Sequence, residues 1–408
     1  MHKRLLTFAL SISLLLLSGC SFFLPLEMEQ TEANRIDPKK YIEEFQDKWQ
    51  YRTLTDDGKE LYGMLYTAVK DAEEQNATVS YTNEQGKKEQ HPGVRITFPD
   101  TVLTAEQFSA LFESFFRDNP QFFYVSRTYH LEGQSIKTES EPYYDTLLIE
   151  FSLPLNQRTD AIRQLEATVA SLINGCPTTD DDYEKELYLH DRLIERCVYD
   201  KAALNDTSTE SDSVYTAYGA LVEGKAVCEG YAKAMQLLLT QVRISATVVT
   251  GHSLDTNEAH MWNLVRINGS DYYLDPTWND NENCVQHTYF NLTTEMLLSS
   301  HQLDPNQSAV TLCTATEENY FFKIGAYIDT YDRQEIARVV AKQLRTGSQV
   351  VQMKFAPGKY TNGQLFLRNR SLLEKAVNAY LADTNLSLWD YQLWSEEEQL
   401  VLTLVKKS

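Results

Sequence analysis

The chain has 408 residues, of which 42% are hydrophobic and 23% charged, and its 58 Asp and Glu residues outnumber 37 Lys and Arg residues, for a formal net charge of −21. This length predicts two or three domains with hydrophobic cores. Gly (16) and Pro (11) are too few for a collagen-like or low-complexity chain. The acidic balance excludes a general nucleic-acid-binding protein, because such proteins gain affinity from Lys and Arg that displace counterions from phosphates.

The first twenty residues have the pattern of a lipoprotein signal. A basic start, His2 to Arg4, precedes an apolar run from Leu5 to Leu17, which is shorter than the ~20 residues of a membrane-spanning helix. The run ends in Leu17-Ser18-Gly19-Cys20, which resembles a bacterial lipobox. We therefore predict a signal peptide at 1–19, a lipid on Cys20 and a location on the extracytoplasmic face of the cell membrane. The alternative is an ordinary secretory signal.

Export would place the remaining cysteines in an oxidising compartment. These cysteines are Cys176, Cys197, Cys228, Cys284 and Cys313. Their odd number leaves at least one thiol unpaired unless two chains are linked. Two disulfides among the four other than Cys228 are compatible with an oxidising compartment, although spacing alone does not establish them.

Residues 20–40 are polar, lack periodicity and are predicted to form a linker. Residues 41–174 then alternate between helical and strand patterns. The predicted elements are a helix at 60–70, a strand at 94–98, a helix at 108–116 and strands at 122–129 and 146–153. This segment is therefore predicted to be a small α+β module.

Residues 313–408 repeat the same order of elements. The predicted elements are a helix at 336–344, a strand at 350–355, a helix at 372–380 and strands at 386–394 and 400–405. Two α+β modules are thus predicted to flank a middle block. Duplication and coincidence would both explain the shared order.

The middle block, residues 175–312, concentrates the chemically reactive residues. A helical pattern at 184–197 leads to Tyr199-Asp200, and apolar residues at helical spacing between 231 and 238 predict a second helix that begins at or beside Cys228. A thiol at the start of a helix meets the positive end of the helix dipole, which favours the thiolate. Cys228 is therefore a candidate nucleophile, and the alternative is a small apolar residue of the core.

A β-hairpin is predicted at 260–275, where Asn268-Gly269 separates two alternating apolar runs. With a two-residue turn, Asp275 lies opposite Trp262 and diagonal to His260. Because residues two apart on a strand share a face, His260 and Asp275 are predicted to approach each other. The alternatives are a half-buried strand histidine and an acid that merely flanks a turn.

Cys228, His260 and Asp275 together make a Cys-His-Asp constellation. In this arrangement Cys228 attacks an acyl carbon, His260 takes and returns the proton, and Asp275 fixes the imidazole tautomer and supports its cationic form. The spacing of His and Cys is not that of a zinc site, and the sequence has no glycine-rich phosphate loop. Neither a metal nor a cofactor is therefore predicted.

Three segments resemble the motifs of bacterial transglutaminase-like domains, namely Gly224-Lys-Ala-Val-Cys-Glu-Gly-Tyr-Ala232, Ala259-His-Met-Trp-Asn263 and Tyr273-Leu-Asp-Pro-Thr-Trp278. The resemblance covers roughly residues 180–300. It implies a papain-related α+β core with Cys228, His260 and Asp275 in the catalytic positions. Members of this family cross-link glutamine to lysine, hydrolyse peptide or other amide bonds, or remove glycans from asparagine.

An oxyanion hole would need the backbone N–H of Cys228 and a second donor. Papain-like relatives have a glutamine six residues before the cysteine, where this chain has Val222, so the second donor is not assigned. Tyr218 is a candidate, with helix packing as the alternative. Trp262 and Trp278 are candidates to shield the site from water, or else pack in the core.

These observations predict thiol-dependent hydrolysis or transfer at amide bonds by a lipid-anchored protein outside the cytoplasm. The predicted substrate is a peptide, a protein or a peptidoglycan-like polymer of the cell envelope, and hydrolysis is preferred because the sequence has no feature of a dedicated amine-acceptor site. No nucleic-acid partner is predicted. The competing interpretation is a non-enzymatic binding or scaffold lipoprotein with the same fold.

Overall fold

The computed structural model describes residues 36–83, 85–99, 101–133, 142–203, 213–281, 284–305, 307 and 310–407. The predicted signal peptide, Cys20 and most of the predicted linker lie outside these residues. The chain divides into two compact units, Met1–Ser171 and Leu172–Ser408. Within the described ranges, no helix is both long and apolar enough to cross a membrane.

The first unit combines helices with an antiparallel sheet. Its helices are α1 (Ile42–Phe45), α2 (Trp49–Thr53), α3 (Asp56–Asp71), α4 (Ala105–Asp118) and α5 (Leu155–Asn174), within which the division between the units falls. Its strands are β1 (Thr78–Thr82), β2 (Lys88–Thr97), β3 (Leu103–Thr104), β4 (Val125–Glu132), β5 (Tyr143–Tyr144) and β6 (Thr146–Phe151). The main sheet has the order β1-β2-β6-β4, and one hydrophobic core joins it to α3 and α4.

Local sequence explains most of these boundaries. Helix α4 begins at a capping box, in which Thr104 and Gln107 exchange side-chain and backbone hydrogen bonds. The predicted strand at 122–129 starts later than expected, at Val125, because the carbonyl of Phe122 accepts the N–H of Val125 and closes a turn. The other predicted elements of this module are present.

The middle block opens the second unit. Its helices are α6 (Asp182–Arg196), α7 (Cys228–Gln241), α8 (Pro276–Asn279) and α9 (Thr294–Leu297), with a π-helical turn at Gly219–Glu223. Its strands are β7 (Val198–Tyr199), β8 (Lys225–Ala226), β9 (Ala246–Ser253), β10 (Ala259–Ile267), β11 (Ser270–Leu274), β12 (Asp280–Asn281), β13 (Cys284–Val285) and β14 (His301–Leu303). The antiparallel sheet β11-β10-β9-β14 packs against α7, which is buried over almost its whole length.

The carboxyl-terminal part of the second unit has its own sheet and core. Its elements are α10 (Tyr320–Lys323), β15 (Tyr327–Ile328), α11 (Arg333–Arg345), β16 (Val350–Phe355), α12 (Tyr360–Arg368), α13 (Arg370–Tyr380), β17 (Tyr391–Glu396) and β18 (Val401–Lys406). Helix α12 was not predicted. The predicted strand at 386–394 is confined to β17, because residues before it are held outside the sheet by a hydrogen bond from Leu388 N to Asn378 Oδ1.

The two predicted flanking modules follow the same path. In the first, the chain runs from β2 through α4 to the strands β4 and β6, and the sheet order is β2-β6-β4. In the other, it runs from β16 through α12 and α13 to β17 and β18, and the order is β16-β18-β17. In both, the last strand inserts between the other two, a shared topology that favours duplication over coincidence. The predicted α+β class is confirmed.

Candidate active site

Cys228 is the first residue of α7. The N-cap residue, Val227, is extended and provides no side-chain cap, so the positive end of the helix dipole is directed at the thiol. Two residues on, a Cβ at Gly230 would lie 2.4 Å from the carbonyl oxygen of Val214 and 2.7 Å from the Cβ of Ala226. Glycine therefore lets the start of α7 pack against the preceding backbone.

The hairpin that carries His260 and Asp275 has the predicted register. Ile267 pairs with Ser270, and Asn263 pairs with Leu274. Asp275 directly follows β11, and its Oδ2 accepts a hydrogen bond from Nε2 of His260 at 2.7 Å. Both side chains are buried, so the contact is protected from solvent.

Asp275 is held by the backbone around it. It is the N-cap of α8, where its Oδ1 accepts the N–H groups of Thr277 at 2.9 Å and Trp278 at 3.2 Å. Its own N–H donates to the carbonyl of Tyr289 at 3.0 Å. Oδ1 of Asp275 thus caps the start of α8, and Oδ2 is available to the imidazole of His260.

The pair of His260 and Asp275 is strongly coupled. Burial acts to lower the pKa of His260, but the charge and hydrogen bond of Asp275, followed by the hydrogen bond and charge of Cys228, raise it to about 10. Burial acts to raise the pKa of Asp275, but the charge and hydrogen bond of His260 hold it well below its usual range. Both effects favour an imidazolium paired with a carboxylate.

The thiol and the imidazole are brought together by the packing of α7 on β10. Because Nε2 of His260 is bonded to Asp275, Nδ1 is the nitrogen available to Cys228, which acts to raise the pKa of the ring. The buried amide of Asn263 donates to the carbonyl of Ala232 at 2.9 Å. This bond fixes the strand of the histidine against the helix of the cysteine.

Residues 170–276 match the model of the transglutaminase-like superfamily, and the match includes Cys228, His260 and Asp275. This segment is a transglutaminase-like domain. No curated protein matches the chain.

Three solved structures share local similarity with this chain at low sequence identity. A structure described as a TGase has 11% sequence identity and a TM-score of 0.27, with 39% of this chain and 52% of that chain covered. A "putative cysteine protease" from Cytophaga hutchinsonii has 12% identity and a TM-score of 0.23, with 45% and 66% covered. A "putative protease" from Parabacteroides distasonis has 9% identity and a TM-score of 0.22, with 36% and 39% covered. The chain therefore spans between about two fifths and two thirds of these proteins.

Two tryptophans enclose the histidine of the transglutaminase-like domain. The half-buried ring of Trp278 stacks on His260, with ring centroids 5.1 Å apart and an angle of 25° between the planes. The fully buried ring of Trp262 lies 5.8 Å from the same imidazole. Exclusion of water on these sides strengthens the charge interactions of His260.

Tyr218 and Tyr199 differ in their surroundings. Tyr218, the predicted candidate for the second oxyanion donor, is half-buried just before the π-helical turn, and burial and the charge of Glu223 raise its pKa. Tyr199 packs on the cluster that contains Cys228. Burial and the charge of Cys228 raise the pKa of Tyr199, in keeping with the packing of its ring on this cluster.

The Tyr199-Asp200 pair has a clear local structure. Strand β7 runs parallel to β8, and Tyr199 pairs with Ala226, two residues before Cys228. The Oδ1 of Asp200 accepts the N–H of Ala202 at 3.1 Å, which turns the chain away from β7. The turn at Asp200 thus leaves Tyr199 at the end of β7, beside the strand that leads into Cys228.

His301 was missed by the sequence reasoning. Its Nε2 lies 3.2 Å from Oδ2 of Asp275, and its ring is fully buried. It lies outside the three motifs and after the segment that matches the family model. A lone histidine at the start of a short strand gives no sequence signal, because only the pairing of β14 with β9 brings it to Asp275.

A second histidine pair lies on the far side of α8. Asp191 Oδ1 is 2.9 Å from both His190 Nδ1 and His287 Nε2. The other nitrogen of each ring faces a side-chain amide. His190 Nε2 lies 3.0 Å from the amide nitrogen of Asn279, and His287 Nδ1 lies 3.1 Å from that of Gln352.

The oxygen of each of these two amides accepts a backbone N–H. The oxygen of Asn279 accepts the N–H of Tyr289, and the oxygen of Gln352 accepts the N–H of His287. The amide nitrogens must therefore donate to the imidazoles, which leaves both ring hydrogens directed at Asp191. The three groups are close enough to hold a metal ion. However, a metal would need the ring nitrogens that carry hydrogens here, so the cluster is better suited to holding α6, α8 and β16 together.

All five cysteines after Cys20 are free thiols. Burial raises the pKa of Cys176, and raises that of Cys284 to about 11. Burial also raises the pKa of Cys197 and of Cys313, each to about 12. These four thiols are therefore held mostly in the less reactive, protonated form at neutral pH.

Proposed function

We propose that this protein is an exported, lipid-anchored thiol enzyme that cleaves or transfers amide-linked acyl groups outside the cytoplasm. The observation that carries the proposal is the buried 2.7 Å contact between His260 and Asp275, beside Cys228, which acts to raise the pKa of the same imidazole. The substrate is a peptide, a protein or a peptidoglycan-like polymer.

The chemistry follows from the positions of these groups. The Cys228 thiolate attacks the carbonyl carbon of the amide, and the oxyanion that forms accepts the backbone N–H of Cys228. The imidazolium of His260 gives its proton to the leaving nitrogen as the C–N bond breaks, which leaves a thioester on Cys228. His260 then takes a proton from the incoming water or amine, which attacks the thioester and releases a carboxylic acid or a new amide.

Hydrolysis is the preferred second half-reaction. No feature of the described residues marks a dedicated site for an amine acceptor, and water needs none. The location rests on the segment around Cys20, which resembles a lipobox. Metabolic labelling with a tagged fatty acid should mark the wild-type protein and not Cys20→Ala, and equal labelling of the two would refute the anchor.

The reaction can be tested by product analysis in water enriched in ¹⁸O. The protein is incubated with cell-envelope peptides and a tagged primary amine. We expect new carboxyl groups that carry ¹⁸O in the presence of the wild type, with Cys176→Ala as a matched control that retains activity, and none with Cys228→Ala. Conjugates of the tagged amine would instead establish transfer, and products equal in wild type and Cys228→Ala would favour a binding or scaffold lipoprotein.

Tyr199 is the better placed candidate for the second oxyanion donor. We expect Tyr199→Phe to lower the rate of amide cleavage by about a hundredfold, since the loss of one oxyanion donor costs roughly that much. Alkylation of Cys228 by iodoacetamide should change less than about twofold, because that displacement forms no oxyanion. The same pattern in Tyr218→Phe, and not in Tyr199→Phe, would assign the donor to Tyr218.

A further inference from the structure

The catalytic carboxylate has two imidazole partners. Oδ2 of Asp275 lies 2.7 Å from Nε2 of His260 and 3.2 Å from Nε2 of His301. A carboxylate oxygen only accepts hydrogen bonds, so both of these nitrogens carry a hydrogen. Together with the two backbone donors on Oδ1, four N–H groups converge on one buried carboxylate.

His301 is held in this orientation by its neighbour in the chain. Its Nδ1 lies 2.9 Å from the hydroxyl oxygen of Ser300. Burial lowers the pKa of His301, so the ring is neutral at neutral pH. A neutral ring that donates from Nε2 must accept at Nδ1, and the Ser300 hydroxyl is its donor.

The hydroxyl of Ser300 is in turn held by the carboxyl-terminal sheet. Gln399, in the turn between β17 and β18, is 1% exposed, and its Nε2 lies 3.2 Å from Ser300 Oγ, 2.8 Å from the carbonyl of Met296 and 2.9 Å from Ser299 Oγ. The side-chain oxygen Oε1 of Gln399 accepts the buried amine of Lys354 at 3.3 Å, and the backbone carbonyl of Gln399 accepts the same amine at 2.6 Å. The amide of Gln399 is therefore fixed from both of its sides.

A second contact reaches the site from the same hairpin. The hydroxyl of Tyr289 donates to Oε1 of Glu396 at 3.2 Å, and the carbonyl of Tyr289 accepts the N–H of Asp275. The β17–β18 hairpin thus contacts Tyr289 and the segment 299–301. Both of these hold Asp275, and neither belongs to the β10–β11 hairpin that carries the catalytic histidine.

From these contacts we infer that His301 is a positioning residue for the catalytic carboxylate, and that the β17–β18 hairpin completes the active site by holding His301 through Gln399 and Ser300. The inference rests on the proposed function, since it concerns the same triad. In this arrangement the carboxyl-terminal module supports catalysis, although none of its residues belongs to the triad. With Nε2 of His301 in place, Oδ2 is fixed toward His260.

The test compares two substitutions at one position by the rate of Cys228 alkylation with iodoacetamide between pH 5 and pH 9. In His301→Leu the N–H donor is lost, and we expect the rate at pH 6 to fall by about tenfold, the cost of one hydrogen bond to a charged group. His301→Gln places an amide N–H where Nε2 was, and we expect its profile to stay within about twofold of the wild type.

The contribution of the hairpin is tested in the same way. Gln399→Met keeps the length of the side chain and loses the amide. We expect the rate of Cys228 alkylation at pH 6 to fall by about threefold, because the lost hydrogen bond acts on Asp275 only through Ser300 and His301. Gln392→Met, on an exposed position of the same hairpin, is the matched control and should leave the profile unchanged.

The outcomes separate the two levels of the proposal. If His260→Ala leaves the alkylation profile unchanged, the proposed function itself fails. If His260→Ala slows alkylation but His301→Leu matches the wild type, or if His301→Gln falls as far as His301→Leu, the positioning role is overturned and the function stands. If His301→Leu does not fold, His301→Gln with the Gln399 and Gln392 pair decides the inference.

Discussion

Alkylation of Cys228 should remain fast as the pH falls from 8 to 6. Over this range a free thiol loses reactivity by about 70-fold, because its thiolate fraction falls. The pKa of His260 is raised to about 10, so its ring is cationic throughout this range and supports a thiolate beside it. We therefore expect the wild-type rate to change by less than about threefold between these two pH values.

His260→Ala should abolish this behaviour. Without the imidazolium, we expect the rate at pH 6 to fall by about a hundredfold and to follow the ionisation of an isolated thiol. His252→Ala, which removes a half-exposed histidine from the neighbouring strand β9, is the matched control. Mapping of the modified peptides by mass spectrometry separates Cys228 from Cys176, which serves as the internal reference. A pH profile shared by these two cysteines would contradict the ion pair.

Asp275→Asn should cause the largest loss of activity after removal of Cys228 or His260. The amide keeps the size of the carboxylate, but only one of its ends accepts hydrogen bonds. If its oxygen caps α8, its N–H₂ group meets the N–H groups of His260 and His301. His260 must then move its hydrogen to Nδ1, where it can no longer take a proton from Cys228.

For this wrong tautomer we expect amide cleavage to fall by about 10³- to 10⁴-fold. The free energy of unfolding should fall by about 1–3 kcal/mol, because buried donors lose their acceptor. Asp271→Asn, in the strand β11 that precedes Asp275, breaks a solvent-exposed pair with Arg266 and should cost less than about 1 kcal/mol. Urea unfolding and ¹⁸O incorporation measure the two effects, and a variant that retains a tenth of the wild-type rate would refute this role of Asp275.

The stability difference between wild type and Asp275→Asn should depend on pH. The pKa of Asp275 is lowered in the folded protein, so its contribution is present above the unfolded value of about 4 and is lost as the pH falls. The pKa of His260 is raised, so its contribution is complete below about 6.5 and is lost as the pH rises through about 10. The difference should therefore be largest between about pH 4 and 6.5 and should shrink toward pH 10. A difference that grows over that upper range would contradict the paired state.

The sequence by itself determined the catalytic hairpin and the start of the nucleophile helix. Asn268-Gly269 specifies a two-residue turn, and the period of two along each strand then fixes which residues share a face. Apolar residues at helical spacing place the start of α7 at Cys228 in the same way. These features are local, because each depends on residues within about fifteen positions of one another.

Only the tertiary structure decided what surrounds these residues. His301 reaches Asp275 because β14 pairs with β9, and Gln399 reaches Ser300 because the β17–β18 turn packs there, about a hundred residues away in the chain. Tyr199 lies beside Cys228 because β7 pairs with β8. A single polar residue has no periodicity and no turn signal, so its partner is set by the packing of distant elements, which the local pattern does not encode.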